Sequence, residues 1–377
     1  MSDETFAPRE LAGTVRKGHE LDVARLETFL QQSKPEDIGT PLTVKQFNIG
    51  QSNPTYLISD ARGRRFVLRK KPAGQLLSKT AHAVEREFRV LDALGRHTSV
   101  PVPRVYALCE DTSVLGTPFY LMEYLEGRVL ADVRLPEVAP RQRAAYWDAL
   151  VDVLALLHRV DYAAVGLADY GRQGGYYDRQ VRNLGKVAAA QGAAVDKNGV
   201  RVGELPRMQQ LGRWFQRNAC PDETTIVHGD FKMDNVIWHP TQPTIIGILD
   251  WELSTLGNPR ADLANLLQPL LVPFDGDDIW QGLCDAPSAE CAPDEDRLLE
   301  RYCRLMGREY PLEGWVFAKV FGLFRNAVIQ QGVAARLAKG QASSSFAHLV
   351  ARVFPKTMEL AMSVVDKNEA QSRRSKL

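Results

Sequence analysis

The sequence is poor in the features by which several protein classes are recognised. Its five cysteines are scattered over 377 residues, and none has the CxxC spacing of zinc sites and redox motifs, so we expect reduced thiols in an intracellular protein. No apolar run approaches the roughly 20 residues of a membrane helix. The net charge of +1 gives no overall attraction to nucleic acid or to an anionic membrane. We therefore expect neither a nucleic-acid partner nor a membrane span.

Two widespread catalytic motifs are missing as well. A Walker-type phosphate loop, GxxxxGK[ST], does not occur, and neither does the GxSxG turn of serine hydrolases. The composition is that of an ordinary globular protein, with 45% hydrophobic and 25% charged residues. A chain of this length suits two lobes better than one core.

Short β-rich segments and one helix predict a small α+β lobe. Four segments are β-branched or aromatic and bounded by turn residues, namely LTVKQFNIG, TYLISD, RRFVLRK and PFYLMEYLEG. The apolar residues of AHAVEREFRVLDALGRH lie at helical spacing, and so do those of LDVARLETFLQQ near the N-terminus. Beyond Gly127 the pattern is mostly helical, with a long helix that ends near His158 and further helices around 205–217, 298–306, 313–339 and 344–365.

These patterns predict four regions. Residues 1–41 form an N-terminal helical extension, and residues 42–125 form the small lobe. Residues 126–366 form a helical lobe that holds one polar hairpin, made by NVIWH and TIIGILD. Residues 367–377 form a basic tail that ends in SKL.

The stretch VHGDFKMDN, followed by LDWE after the hairpin, places polar residues at a spacing suited to phosphoryl transfer. Asp230 opens a loop, Asn235 follows five residues later, and Asp250 follows the hairpin. Phosphoryl transfer needs a group that accepts the proton of the attacking hydroxyl, and oxygen ligands that hold Mg²⁺ on the nucleotide phosphates. One carboxylate and one amide suffice for Mg²⁺, which keeps several of its waters.

With these motifs the sequence resembles the aminoglycoside phosphotransferase-like kinases, which share the protein-kinase-like fold of a small β-rich lobe and a larger helical lobe. The resemblance implies that Asp230 is the catalytic base and that Asn235 and Asp250 bind Mg²⁺. It also implies that Asp262, at the start of an apolar helix, braces the catalytic loop. We expect His228 to shape that loop, and Trp251 to pack in the core.

The small lobe is expected to bind ATP. In GQSNPTYLI, a turn that contains Gly50, Ser52 and Asn53 can offer backbone N–H groups to phosphate oxygens, although a plain hairpin turn fits the sequence almost equally well. In FVLRKKP, Arg69 stands where protein kinases have lysine, and it can bind phosphate.

Two further features complete the expected ATP site. The acid that pairs with Arg69 is best matched by Glu87, with Glu85 as the alternative. In LMEYLEG, the backbone of Glu123, Tyr124 and Leu125 is expected to bind adenine, and a buried strand that leads to a turn is equally compatible with the residues.

The resemblance is closer to one branch of the family. The segments GQSNPTYLI, LDWELSTLGNP and QGVAARLAKGQAS look like the kinase-like domain that is fused to acyl-CoA dehydrogenases in some eukaryotes. That branch is linked to phosphorylation of 4-hydroxyacyl-CoA. The resemblance therefore implies a hydroxyacyl-CoA as the small-molecule substrate.

A basic segment agrees with an anionic acceptor. Residues 172–217 hold nine basic side chains and three acids, and interleave them with aromatic residues. Arg can bind phosphate with bidentate hydrogen bonds, and Arg179, Arg182, Trp214 and the more distant Glu252 are the candidate substrate contacts. A solvated helical face is the simpler explanation. Residues 273–300 carry nine acids and favour the opposite, a cationic acceptor.

The last three residues, Ser375, Lys376 and Leu377, match the address that the peroxisomal import receptor reads. A basic tail that ends this way by chance is the alternative. We expect a peroxisomal location in a eukaryote and a cytoplasmic one otherwise. Two other functions remain open at this point: an aminoglycoside or amino-alcohol kinase, and a catalytically silent pseudokinase that serves as a binding module.

Overall fold

The chain divides into two units, each built from separate segments. The computed structural model describes residues 12–33, 38–47, 53–72, 83–274, 281–287, 292–341 and 347–374. The first unit combines Met1–Val129, Tyr162–Leu167 and Asn235–Ser254, and the second combines Leu130–Asp161, Ala168–Asp234 and Thr255–Leu377.

A six-stranded antiparallel sheet forms the body of the first unit. Its strands lie in the order β1-β2-β3-β4-β6-β5. They span Ala12–Gly13 (β1), Thr43–Phe47 (β2), Thr55–Ser59 (β3), Arg65–Lys70 (β4), Val105–Cys109 (β5) and Phe119–Glu123 (β6). Three consecutive residues are buried in the middle of both β3 and β4, so both faces of the sheet are covered there, and their β-branched and aromatic residues suit such a packed surface.

The N-terminal segment belongs to this sheet. Helix α1 (Val23–Ser33) buries Leu26 and Leu30 in the same hydrophobic cluster as Tyr56, Leu68 and other strand residues. Strand β1 pairs with β2. The described part of the predicted extension over 1–41 is therefore part of the small unit, because the apolar face of its helix needs the sheet to cover it.

Helix α2 (Val84–His97) packs on β5 and β6. It buries one apolar face that includes Val84, Val90 and Leu94, as the sequence predicts. Its first turn contains both Glu85 and Glu87, and acids in that position are favoured by the helix dipole. A single-turn helix, α3 (Thr112–Leu115), precedes β6.

The polar hairpin of the sequence groups with the first unit. Strands β8 (Val236–Trp238) and β9 (Ile245–Ile248) pair with each other, and Arg128 forms an isolated bridge with Trp238. A Cβ added at Gly127 would lie 2.3 Å from the carbonyl oxygen of Trp238, so only glycine allows this approach. The sequence-based boundaries place the hairpin in the region 126–366. Its backbone contacts instead join it to the small unit.

The second unit is helical. Its helices are α4 (Pro140–His158), α5 (Tyr176–Gly192), α6 (Met208–Arg217), α7 (Pro259–Leu267), α8 (Glu295–Met306), α9 (Trp315–Ala338), α10 (Ala347–Val350) and α11 (Phe354–Arg374). Helix α9 packs against α5, α7 and α11. Strands β7 (Thr225–Val227) and β10 (Thr255–Gly257) pair as an antiparallel ladder, and β7 packs against α4 and α7.

The predicted fold class, α+β with a protein-kinase-like arrangement of a β-rich part and a helical part, is confirmed. Two predicted boundaries differ from the structure. The helix expected over 344–365 is two helices, α10 and α11, and α11 continues through position 366 to Arg374, so the predicted boundary before the basic tail lies inside a helix. Within the described residues, no helix has the length and apolarity that crossing a membrane requires.

Candidate active site

In the first unit, Arg69 on β4 lies at the centre of a cluster of acids. Its Nε is 3.3 Å from Glu87 Oε2, and its Nη2 donates to Asp250 Oδ1 at 3.1 Å. Glu252 Oε2 lies 3.9 Å from the same Nη2. The arginine side chain is 11% exposed, so water screens these pairs less than it screens surface pairs. Burial alone would lower the pKa of Arg69, but its acidic neighbours, Glu87 first, raise that pKa above its ordinary value.

Glu87 is the buried partner of this arginine. Its Oε1 accepts a hydrogen bond from Asn53 Nδ2 at 2.9 Å, and its Oε2 accepts one from the Tyr120 hydroxyl at 3.0 Å. Burial raises the pKa of Glu87 from its ordinary 4.5 to about 7, although Arg69 beside it favours the charged form. The alternative acid, Glu85, pairs with Lys71 instead, at 3.3 Å.

Asn235 and Asp250 lie at the same end of the β8–β9 hairpin. The carbonyl of Asn235 accepts the N–H of Leu249 at 2.8 Å, and Asp250 is the next residue. Asp250 has φ 65° and ψ 57°, a left-handed conformation that is uncommon for a residue with a Cβ and is often found at functional sites.

These two residues fit the needs of Mg²⁺. They supply one carboxylate and one amide oxygen, the hard ligands that this ion prefers. Arg69 occupies Oδ1 of Asp250, and the Asp250 side chain is still 36% exposed. Within the described residues, no three His, Cys, Asp or Glu side chains are placed so that they could hold a metal ion together.

The expected adenine-binding connector follows β6. The N–H of Glu123 donates to Arg104 O at 2.8 Å, and its carboxylate accepts the N–H of Arg104. The Tyr124 ring lies under the Arg65 guanidinium at 4.3 Å. Within the described residues, no hydrogen bond to the backbone of Tyr124 or Leu125 is found, and their role in adenine binding stays a prediction.

The expected phosphate turn is only partly described. Gly50 and Ser52 lie outside the described residues. Asn53 is 1% exposed, and its amide N–H₂ is directed at Glu87. Within the described structure Asn53 therefore positions the acid that holds Arg69.

In the second unit, the catalytic loop is held by Asp262 at the start of α7. Asp262 accepts the N–H groups of His228 at 2.6 Å and Gly229 at 2.9 Å. His158 lies 3.5 Å from the same carboxylate and 2.8 Å from the Tyr302 hydroxyl. Burial would raise the pKa of Asp262, but its hydrogen bonds to His158 and the loop hold that pKa below its ordinary value. The acid thus braces the loop, as the resemblance implies.

Asp230 is surrounded by groups that can orient its carboxylate. The backbone N–H of Asp230 donates to His228 Nδ1 at 3.2 Å. Through this hydrogen bond His228 shapes the loop. Asn265 Nδ2 lies 3.5 Å from Asp230 Oδ1 and donates to Phe231 O at 3.1 Å. Lys232 Nζ is 3.4 Å from Asp230 Oδ2.

Helix α9 contacts the same loop through Arg325. Its Nη2 donates to Gly229 O at 2.5 Å, and its Nη1 donates to Asn265 Oδ1 at 3.3 Å. Arg325 therefore ties both the loop backbone and the amide beside Asp230 to the longest helix of the unit.

Two of the candidate substrate contacts, Trp214 and Arg179, have side chains that are engaged within the protein. Trp214 is 2% exposed and stacks on Phe317 with ring centroids 5.8 Å apart. The prediction that Trp214 contacts the substrate is wrong, because its ring is buried against Phe317. Arg179 donates to the carbonyls of Gly174 and Arg172, which fixes the turn before α5 instead of leaving the guanidinium free.

For two other candidates, Arg182 and Glu252, contact with the substrate stays a prediction. Arg182 is exposed on α5. Glu252 lies in the Arg69 cluster, where it adds negative charge near the nucleotide side. Trp251 is 1% exposed and donates to Ile248 O, so it packs in the core as expected.

Sequence reasoning missed four residues of this arrangement: Tyr120, His158, Asn265 and Arg325. Asn265 could have been found, because it lies three positions after Asp262 on the same helix face. The other three have no local signal, since each reaches the site across a long sequence separation.

Comparison with known proteins decides the family. The model of the phosphotransferase enzyme family matches residues 43–309. The chain belongs to this family. A solved structure from Ralstonia eutropha, named a "putative aminoglycoside phosphotransferase", is 36% identical, with a TM-score of 0.81 over 92% of this chain and 99% of that chain.

Two other relatives extend this result. The "Probable acyl-CoA dehydrogenase IBR3" of Arabidopsis thaliana is 42% identical over 313 residues, which are 80% of this chain and 37% of that protein. The phosphotransferase chain thus spans well under half of this curated relative. An aminoglycoside phosphotransferase complexed with AMP-PNP and hygromycin B has a TM-score of 0.54 at 16% identity, covers 90% of this chain and 98% of its own, and shares the fold alone.

Proposed function

We propose that this phosphotransferase uses ATP and Mg²⁺ to phosphorylate the hydroxyl of a hydroxyacyl-CoA. The observation that carries the phosphoryl-transfer part is Arg69, buried between Glu87 and Asp250. A cation paired with a helix acid, next to the acid assigned to the metal, is the arrangement that kinase-type sites need to be competent.

Each residue then has a role in the reaction. Asp230, oriented by Asn265, accepts the proton of the acceptor hydroxyl as that oxygen attacks the terminal phosphoryl group. Arg69 binds phosphate oxygens, which its planar guanidinium suits. Asn235 and Asp250 would hold Mg²⁺, which when bound neutralises charge on the phosphate oxygens.

Support for the acyl-CoA acceptor comes from relatives. The Arabidopsis protein that matches 80% of this chain is named an acyl-CoA dehydrogenase, although this chain spans only 37% of it. The import address at residues 375–377, which lie outside the described residues, supports a peroxisomal setting for this chemistry.

The alternative of a cationic acceptor rested on the acids in 273–300. In the described part of this segment, Asp294 caps α8 by accepting the N–H of Arg297, and Glu295 pairs with Lys319 and Trp315. These acids are used within the second unit. The pseudokinase alternative rests on Arg69 in the place of a lysine and on the incomplete glycine turn. Arg69 makes the acid contacts expected of the lysine it replaces.

Two single substitutions test the reaction. Asp230→Asn should lower kcat about 10²–10⁴-fold and leave ATP affinity nearly unchanged, because the base acts on the acceptor. Asp250→Ala should weaken Mg²⁺-dependent nucleotide binding. Asp234→Asn, on the same loop and exposed, is the matched control and should retain activity.

The measurement is mass spectrometry of products after incubation with ATP, Mg²⁺ and a panel of hydroxyacyl-CoAs, amino alcohols and aminoglycosides. Phosphorylation of a hydroxyacyl-CoA, lost in Asp230→Asn, supports the proposal. A better amino alcohol or aminoglycoside acceptor would overturn the substrate, and full turnover in both variants would overturn the assigned roles.

A further inference from the structure

A groove of about 930 Å³ lies in the second unit between the turn at 195–202 and the C-terminal end of α9. The turn forms one wall of the groove, and its backbone conformation is fixed by hydrogen bonds. Val195 and Arg201 form a β-bridge across it, and Asp196 Oδ1 accepts the N–H groups of Asn198 and Val200, each at 2.8 Å. The groove is therefore framed by ordered backbone and has the size of a small-molecule site.

Apolar side chains are concentrated on its walls. Eight large hydrophobic residues are strongly exposed in the described part of the chain, and three of them line this groove: Val195, Val200 and Leu337. Phe354, at the start of α11, also lines it. Exposed apolar surface gathered in one place costs free energy in water and marks binding sites.

Three cations surround these apolar walls. Lys197 and Arg201 lie on the turn and Lys339 lies just after α9. None of the three forms an ion pair with a described residue, and Asp196 is the one acid on the described walls. The groove therefore suits a ligand with both phosphate groups and apolar surface.

The position of the groove along α9 sets the length of such a ligand. Arg325, which contacts the catalytic loop at Gly229 O, precedes Leu337 by 12 positions on the same helix. At 1.5 Å per residue these positions are about 18 Å apart along the axis. A choline-sized or single-sugar acceptor cannot span this distance.

A 4-hydroxyacyl-CoA can span it. About 18 bonds separate its hydroxyl oxygen from the first phosphorus of CoA, and an extended chain that advances ~1.2 Å per bond covers about 20 Å. We propose that the groove binds the phosphate-bearing nucleotide end of CoA, with Lys197, Arg201 and Lys339 on the phosphates and Val200, Leu337 and Phe354 against the base. This inference rests on the proposed acyl-CoA acceptor, and it replaces the earlier assignment of that role to Arg179.

The test is calorimetric titration of the full chain with free CoA, in the presence of Mg²⁺ and excess AMP-PNP so that the donor site is filled. The variant is Lys197→Glu with Arg201→Glu and Lys339→Glu. The matched control reverses three exposed cations elsewhere in the second unit: Arg141→Glu, Arg159→Glu and Arg304→Glu. Pantetheine, which lacks the phosphates and the base, is the second probe.

We expect CoA affinity to fall at least about 10-fold in the groove variant and to stay within about twofold in the control, with pantetheine binding weak in all proteins. Leu337→Asp should also weaken CoA binding. Equal CoA affinity in the groove variant and the control, or no CoA binding by the unsubstituted chain, overturns the proposal. If CoA binds as expected but hydroxyacyl-CoAs are not phosphorylated, the groove stands and the proposed reaction fails. If they are phosphorylated with an unchanged KM in the groove variant, the reaction stands and the groove fails.

Discussion

At the scale of single residues, the charge of the Glu87 carboxyl beside Arg69 depends on pH. Its carboxyl is buried against Arg69, Asn53 and Tyr120, and burial raises its pKa to about 7. Near neutral pH it therefore changes charge within a range that enzymes commonly experience. Loss of that charge would leave Arg69 with Asp250 as its nearest acid.

The raised pKa predicts the sign of a stability effect. The folded state binds the Glu87 proton more tightly than the unfolded chain, so its contribution to the free energy of unfolding is fully present below about pH 4.5 and is lost as pH rises towards about 7. Glu87→Gln should remove this dependence. Urea unfolding of the nucleotide-free protein from pH 5 to 8 measures it, and equal pH slopes in the two proteins would show that Glu87 does not titrate in this range.

At the scale of elements, α9 positions the catalytic loop. Arg325→Ala removes the donors to Gly229 O and Asn265 Oδ1. Hydrogen bonds that involve a charged group contribute about 1.5–3 kcal/mol, so we expect kcat to fall about 10–100-fold with little change in the KM for ATP. Arg325→Lys should recover part of the loss.

Arg336→Ala is the control for this prediction, since Arg336 lies on the same helix and is exposed. Thermal melting of all three variants separates loss of activity from loss of folding. Turnover in Arg325→Ala equal to that of Arg336→Ala would mean that the loop keeps its shape without this contact.

Elements with strong local patterns could be predicted from the sequence. Strands β3 and β4 and helix α2 were evident from β-branched runs and helical periodicity. Helix α5 was not, because its first half mixes tyrosines with charges and its second half is alanine-rich. Strand β5 (Val105–Cys109) is not predicted either, because polar and apolar residues do not alternate along its five positions. Its pairing with β6 is what makes it a strand.

The residues of the candidate site also divide into those with a local sequence pattern and those without one. Spacing and the family resemblance single out Asp230, Asn235 and Asp250, because a loop motif is local. The contact of Arg69 with Asp250 joins residues 181 positions apart, and no local pattern reports such a contact. Trp214 was misassigned for a related reason: an aromatic residue among arginines looks like a stacking platform in sequence, and only packing shows that its ring faces Phe317.

At the scale of the whole molecule, we expect the terminal SKL to direct the protein to peroxisomes of a eukaryotic cell. The receptor reads a free, exposed C-terminus, so a fluorescent protein must be fused to the N-terminus. The fusion should collect in peroxisomes, and deletion of residues 375–377 should leave it in the cytosol. Diffuse fluorescence from both fusions would reduce the tripeptide to coincidence.

The first unit is assembled from segments that the ribosome makes far apart in time. Its sheet is complete at Val129, but the hairpin that carries Asn235 and Asp250 ends near Ser254, about 125 residues later. At roughly 5–20 residues per second this takes about 6–25 s. During that interval the nascent sheet lacks the strands that cover Gly127, and Arg69 has only Glu87 and no Asp250 beside it. The fragment 1–129 therefore lacks the hairpin that completes the small unit, and that completion waits until the whole catalytic loop has been synthesised.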